Sequence, residues 1–87
     1  MPRYQVEVIR KAEKALDAID KTARQRLVAA IEKLATDPRP AGAVAYQELP
    51  GTLRIRVGDY RIIYSVNDGR LLILVILVDH RKQSYRT

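Results

Sequence analysis

An apolar run of eight residues, LLILVILV, occupies positions 71–78 and is followed by the polar sequence DHRKQSYRT. Eight residues are far fewer than the roughly 20 that a membrane-spanning helix needs. A strand that is apolar on both faces is typical of the interior of a sheet with both sides covered. We therefore expect a central strand here, followed by either a solubilising tail or a functional site.

The length and the absence of cysteine restrict what this chain can be. Its 87 residues suffice for one domain, expected to span positions 1–87, with a core just large enough to fold without cross-links. Without cysteine, neither disulfides nor thiolate metal sites are available, which suits a reducing cytosol. The N-terminal sequence MPRYQVEVIRK lacks the apolar segment of a signal peptide. We expect a cytoplasmic protein without membrane association.

Hydrophobic periodicity predicts a strand and then two helices in the N-terminal half. Tyr4, Val6 and Val8 alternate with polar residues, as in a half-buried strand. Apolar residues then recur at helical spacing in two segments: Ala12, Ala15, Leu16 and Ile19, then Ala23, Leu27, Ala30, Ile31 and Leu34. Thr22 with Gln25 is a capping-box signature for the second helix, and Pro38 should stop it. The two helices are expected to form a hairpin.

Three further strands are expected after a proline-rich connector at residues 37–51. The sequence LRIRV alternates apolar residues with arginines, and Gly58-Asp59 is a plausible tight turn into the next strand. Asp68-Gly69 is a strong short-hairpin signal that leads into the apolar run. The predicted order is β-α-α-β-β-β. The predicted fold class is α+β, with an antiparallel sheet packed against the N-terminal helical hairpin.

The charge of the chain points to a polyanionic partner, either nucleic acid or an acidic protein segment. Sixteen Lys and Arg against ten Asp and Glu give a net charge of +6. From residue 50 onward there are seven basic residues and three acids, and six of the seven are arginine. Arginine suits bidentate phosphate recognition better than lysine does. The alternative is a basic composition with no specific partner.

Two arginines are expected to face each other across the predicted hairpin. A two-residue turn at Gly58-Asp59 would pair Arg56 with Arg61 and leave Arg54 two residues further along the same face. Like charges directly opposite each other are mildly destabilising, whereas an anion bound between them would reverse the sign of that interaction. The alternative is a solvated basic face, because exposed like charges cost little in water.

Polar residues after the last strand can reach the same region: His80, Arg81, Lys82 and Tyr85. RNA backbone cleavage requires a base for the 2′-hydroxyl, cations for the phosphorane and an acid for the departing 5′-oxygen. Guanidinium groups serve the second role, and Tyr and His can exchange protons or, for tyrosine, stack on a base. A single histidine excludes a two-histidine ribonuclease site. An ordinary surface position is the alternative for His80.

Neither a metal nor a cofactor is expected from the sequence. The chain has no cysteine and one histidine, so the common nitrogen and sulfur ligands are nearly absent. The aspartates at positions 59, 68 and 79 are scattered, and each is explained as a turn-forming residue. We therefore interpret them as structural residues rather than as metal ligands.

The segments RIRVGDYRIIY (54–64) and DHRKQSYR (79–86) closely resemble the RelE branch of the RelE/ParE toxin superfamily, and the resemblance extends over essentially the whole chain. It implies a RelE-like toxin of a type II toxin–antitoxin system. Such a toxin is a metal-independent endoribonuclease that cleaves translated mRNA in the ribosomal A site. The implied partners are a RelB-like, acidic, partly helical antitoxin, the ribosome and mRNA. Operator DNA could be contacted through the antitoxin complex.

The resemblance also implies residue roles. Arg54, Arg56 and Arg61 would bind and neutralise the scissile phosphate. Arg81 would stabilise the transition state or leaving group, and Tyr85 would orient or activate the 2′-hydroxyl and stack on the substrate base. The candidate catalytic residues are Arg61, Arg81 and Tyr85; the candidate phosphate-binding residues are Arg54, Arg56, His80, Lys82 and Arg86.

Some members of the branch carry lysines where this chain has Arg54 and Arg56. Arginine cannot lose its proton, so the general base is left open between Tyr85 and His80. Two other functions are compatible with the predicted fold or with the positive charge of the chain. One is a ParE-like inhibitor of DNA gyrase, and the other is a non-enzymatic basic module that only binds antitoxin and nucleic acid. The full set of arginines and tyrosine favours the nuclease.

Overall fold

Two helices pack on one face of a five-stranded sheet in the computed structural model, which describes residues 3–80. The elements are β1 (Gln5–Val8), α1 (Arg10–Asp17), α2 (Lys21–Lys33), β2 (Val44–Ala45), β3 (Leu53–Val57), β4 (Tyr60–Asn67) and β5 (Leu72–His80). The strand order across the sheet is β1-β5-β4-β3-β2. The predicted α+β class is confirmed, and β5 lies inside the sheet between β1 and β4, as expected.

Two features of the sheet differ from the prediction. β1 pairs with β5 in parallel, with Val6 opposite Ile73, so the sheet is mixed rather than antiparallel. A parallel pair needs a long connection, and all the intervening elements supply it here. The connector also contributes the strand β2, whose Val44 pairs antiparallel with Arg54 of β3. Two residues are too few to show the alternation by which strands are recognised in sequence. The order is therefore β-α-α-β-β-β-β.

The second helix begins earlier than the capping box predicted. Asp20, not Thr22, occupies the N-cap, and its Oδ2 accepts a hydrogen bond of 3.2 Å from the backbone N–H of Ala23. A carboxylate at this position accepts from the third residue of the helix as a threonine hydroxyl would, and it also favours the positive end of the helix dipole. The capping-box prediction for Thr22 and Gln25 was therefore wrong. The helix ends at Lys33, before Pro38.

The core lies between the helices and one face of the sheet. It contains the apolar residues predicted for both helices except Ala23, and its largest completely buried side chains include Leu27, Ile62, Ile73, Val75 and Tyr64. Burying an aliphatic side chain of this size contributes about 2 kcal/mol. The Tyr64 hydroxyl donates a 2.7 Å hydrogen bond to the backbone oxygen of Pro38, which ties the connector to the core. Burial raises the pKa of Tyr64 to about 12.

The apolar run contains a β-bulge. Ile63 pairs with Leu77 but the next residue, Tyr64, pairs with Val75, so Ile76 is the extra residue on β5. The bulge lets both Val75 and Val78 face the core, which a regular period of two forbids. The face of β5 that points away from the core is only half-buried. The prediction that both faces of this strand are covered is therefore correct only for the face that packs against the core.

The two hairpin turns differ. Gly58-Asp59 is a two-residue turn, as predicted, with Val57 opposite Tyr60 and Gly58 at φ 59°. The turn after β4 instead has four residues, 68–71, because Asn67 pairs with Leu72. Asp68 in this turn accepts hydrogen bonds from the Tyr4 hydroxyl and, through both oxygens, from Arg39. This cluster joins the N-terminal segment, the connector and the β4–β5 turn.

Candidate nucleic-acid interface

The sheet face opposite the helices carries three arginines, and we call it the arginine face (Arg54, Arg56 and Arg61). The predicted register is confirmed: Arg56 pairs directly with Arg61, and Arg54 pairs with Ile63 on the same side. The alternate residues Ile55 and Ile62 are buried in the core, which fixes the arginines on the outer side. Arg56 is exposed, whereas Arg54 and Arg61 are partly buried.

Arg61 is held by a carboxylate on the neighbouring strand. Its Nε and Nη2 donate to the two oxygens of Asp79 at 3.0 and 2.9 Å, in a bidentate ion pair. The side chains are 13% and 18% exposed, so the pair is largely removed from water. The hydrogen bond to Asp79 raises the pKa of Arg61. The orientation of this guanidinium is therefore set before any anion binds, and Nη1 is outside the bidentate contact.

An aromatic ring from the connector lies beside the same guanidinium. Cζ of Arg61 is 5.6 Å from the ring centroid of Tyr46, which is within the range of a cation–π contact. The Tyr46 hydroxyl donates a hydrogen bond to Glu48, and this bond raises the pKa of the tyrosine. A cleft of about 450 Å³ opens here, lined by residues 44–48 together with Arg54 and Arg61. We call it the Tyr46 cleft.

The remaining positive charge of the arginine face is not neutralised within the described structure. Among residues 3–80 the ion pairs are Arg39–Asp68 and Arg61–Asp79, so Arg54 and Arg56 have no carboxylate partner there. The Nε of Arg54 is buried and has no hydrogen-bond acceptor in that part of the chain. Buried donors usually find an acceptor, and an anion at this face would attract both arginines.

The other predicted site residues are distributed differently. His80 pairs with Tyr60 at the end of β5, and the two rings meet edge to face with centroids 5.0 Å apart. Because Asp79 shares a side with Arg61, His80 lies on the opposite side of the sheet from the arginine face. The structure therefore does not bring His80 together with the arginines, and its role stays a prediction. Arg81, Lys82, Tyr85 and Arg86 lie outside the described residues.

Two residues of this site were missed in the sequence. Asp79 was interpreted as a turn former at a strand end, but it lies within β5 and pairs with Arg61. A two-residue turn at Asp68-Gly69 would have placed Ile76 opposite Arg61; the longer turn and the bulge replace it by Asp79. Tyr46 was not recognised because its position depends on how the connector folds over β3. A count of residues along the chain does not reveal either contact.

Among residues 3–80, no three or more side chains of His, Cys, Asp and Glu lie together in a way that could hold a metal ion. Neither helix in the described part of the chain has the length and apolarity needed to cross a bilayer.

The chain superposes on solved structures of RelE–RelB complexes. The chain superposes on the toxin–antitoxin complex RelBE2 from Mycobacterium tuberculosis with a TM-score of 0.82 and 28% identity, covering 93% of this chain and 94% of that one. It superposes on the archaeal RelE–RelB complex from Pyrococcus horikoshii with a TM-score of 0.77 and 27% identity, covering 91% and 96% of the two chains. The fold thus identifies the chain as a RelE-type member of the RelE/ParE superfamily.

Sequence comparison leads to the same group. Residues 6–85 match the family model described as ParE toxin of type II toxin–antitoxin system, parDE. The chain belongs to this family of toxins. It is also 36% identical over 53 residues to the toxin RelG of Mycobacterium tuberculosis, a match that spans 61% of each protein.

Proposed function

We propose that this protein is the toxin of a type II toxin–antitoxin system and an endoribonuclease that cleaves translated mRNA in the ribosomal A site. The observation that carries the proposal is the direct pairing of Arg56 with Arg61, with Arg54 on the same face. Three guanidinium groups in this arrangement suit a phosphate that gains charge as it becomes pentacoordinate.

In the proposed reaction, the 2′-oxygen of one nucleotide attacks the adjacent phosphorus and the bond to the 5′-oxygen breaks. Arg54 and Arg56 neutralise the phosphate, and Arg61, aimed by Asp79, contacts a non-bridging oxygen through its unpaired edge. As the resemblance implies, Arg81 stabilises the leaving group, and Tyr85 orients or activates the 2′-hydroxyl. Because guanidinium groups provide the positive charge, the proposed site needs no metal ion of its own for cleavage.

Dependence on the ribosome follows from the weakness of the acid–base groups. Arginine does not act as a base, and His80 lies on the opposite side of the sheet from the arginine face, so Tyr85 is the remaining candidate for proton transfer. A site with a weak base gains most from a substrate held in a near-attack geometry. The ribosome supplies that geometry by holding the mRNA in the A site. The proposed site of action is therefore the cytoplasm, where ribosomes translate.

An acidic, partly helical antitoxin is the proposed partner. The M. tuberculosis and P. horikoshii neighbours were both solved as toxin–antitoxin complexes. The net charge of +6 favours an acidic segment that would cover the arginine face in competition with RNA. Such an antitoxin complex could also contact operator DNA. Binding of the antitoxin should weaken strongly from low to molar salt, and equal affinity at both would contradict the electrostatic part of this proposal.

The proposed function is tested by inducing the protein in cells and mapping the 5′ ends of a translated mRNA by primer extension. Cuts in phase with codons are expected, and they should disappear in Arg81→Ala and Tyr85→Ala. The same mRNA without an initiation codon should stay intact, as should free RNA incubated with purified protein. Efficient cleavage of free RNA would contradict ribosome dependence.

The matching family model is described as a ParE toxin. Inhibition of DNA gyrase, the alternative that the resemblance left open, is therefore the second candidate function. The same induction experiment separates the two. Growth arrest with intact mRNA and altered supercoiling or broken DNA would favour gyrase and reject the nuclease. Neutralisation by antitoxin without any cut in RNA or change in DNA would indicate a module that only binds.

A further inference from the structure

We propose that the Tyr46 cleft is a nucleotide subsite, in which one phosphate of single-stranded RNA lies against Arg54 and Arg61 and the adjoining base packs on the ring of Tyr46. The choice of RNA as the ligand rests on the proposed function. It adds a base-contacting residue from the connector, far in sequence from the predicted catalytic residues.

The lining of the cleft carries both signs of charge. Arg54, Arg61 and Glu48 all line it, and Tyr46 contacts both Arg61 and Glu48. A phosphate is attracted to the arginines and repelled by the Glu48 carboxylate, so the RNA backbone belongs beside Arg54 and Arg61. The volume of about 450 Å³ lies within the usual range of small-ligand sites and leaves room for a base beyond the phosphate.

The ring of Tyr46 is held in place before RNA binds. Its hydroxyl is bonded to Glu48 and its ring lies 5.6 Å from the Arg61 guanidinium carbon. The backbone N–H of Tyr46 donates to the oxygen of Thr52 at 3.0 Å, which anchors the main chain next to β3. A pre-positioned ring loses little entropy when a base stacks on it, and stacking tolerates any base because each has a π-face.

Arg61 connects the base subsite to the phosphate subsite. One edge of its guanidinium is engaged by Asp79 and the ring of Tyr46 lies nearby, so the free edge is the part left for the ligand. A nucleotide in the cleft would therefore contact a fixed cation and a fixed ring together. Loss of the ring should weaken binding of RNA but leave binding of inorganic phosphate unchanged.

The test uses single-stranded RNA with 2-aminopurine at successive positions, because the fluorescence of this base reports stacking. One position should change its fluorescence on binding wild-type protein and on binding Tyr46→Phe, which keeps the ring. The change should be lost in Tyr46→Leu, and affinity should fall about tenfold. Thermal unfolding of the variants checks that the loss is not one of folding.

A second measurement needs no variant of the protein. RNA that lacks the base at the reporting position should bind wild-type protein about tenfold more weakly, and Tyr46→Leu should not discriminate between the abasic and intact RNA. If the abasic site and Tyr46→Leu each lowered the affinity independently of the other, the proposal would be overturned. Unchanged fluorescence at every position would also overturn it.

These outcomes are separate from those that decide the proposed function. A protein that cuts translated mRNA but shows no coupling between base and ring retains the nuclease function and loses the subsite. A protein that shows the coupling but never cuts mRNA retains the subsite and loses the nuclease function.

Discussion

Asp79 binds Arg61 through two hydrogen bonds of 3.0 and 2.9 Å across the β4–β5 pair, and both side chains are largely buried. One arginine of the candidate phosphate site is thus already paired inside the protein. The pair fixes the direction of the guanidinium, whereas Arg54 and Arg56 have no carboxylate partner among residues 3–80. If the negative charge of Asp79 were its only effect, it would weaken the binding of a phosphate at this site. We therefore expect the main effect of Asp79 to be that it orients the guanidinium of Arg61.

Asp79→Asn should lower the free energy of unfolding by about 2 kcal/mol, because a partly buried guanidinium loses its charged acceptor. Cleavage of translated mRNA should fall even though the net charge rises by one. Urea unfolding and the primer-extension assay measure the two effects. Asp59→Asn makes the same charge change at an exposed turn and is the control. Faster cleavage in Asp79→Asn would show that the carboxylate only competes with phosphate.

Arg54→Gln and Arg56→Gln should each weaken binding of single-stranded RNA and reduce the slope of log affinity against log salt by about 0.7, the value for one lost phosphate contact. Titrations at several salt concentrations measure this slope. Arg70→Gln removes the same charge from an exposed position in the β4–β5 turn and should leave the slope nearly unchanged. Equal changes in all three variants would mean that only net charge matters.

Tyr64→Phe should destabilise the protein by about 1 kcal/mol, since the backbone oxygen of Pro38 loses its 2.7 Å hydrogen bond in a partly buried position. Chemical denaturation with the variant and wild type measures the difference. The matched control is Tyr60→Phe, which removes a hydroxyl from the same strand but keeps the ring that meets His80 edge to face. Equal stability of Tyr64→Phe and wild type would show that water replaces this bond without cost.

The cluster at Asp68 should make stability depend on acidity below pH 4. Hydrogen bonds from Arg39 and Tyr4 lower the pKa of Asp68 to about 2. A carboxyl whose folded pKa lies below its unfolded value stabilises the fold above the unfolded pKa, near 4, and loses that effect as pH falls towards 2. The thermal midpoint of wild type should therefore fall more steeply across this window than that of Asp68→Asn. Asp37→Asn, at an exposed position, should follow wild type.

The order of elements up to the connector could be predicted from periodicity, because alternation and helical spacing are local properties of the chain. The same holds for the Gly58-Asp59 turn, and through it for the pairing of Arg56 with Arg61. The turn directly follows the strictly alternating sequence LRIRV and has two residues, so the register of β3 against β4 follows from counting. The arginine face was thus determined by the sequence itself.

Tertiary structure decided the rest of the site. The parallel pairing of β1 with β5 joins segments more than 60 residues apart, and no local pattern encodes it. The four-residue turn and the bulge at Ile76 shift the register of β5, and this shift brings Asp79 to Arg61. The connector folds so that Tyr46 lies beside that pair. The sequence alone determined that the three arginines share one face of the sheet. Only the tertiary structure brought Asp79 and Tyr46 to Arg61, because these contacts depend on the strand register and on the path of the connector, which no local pattern encodes.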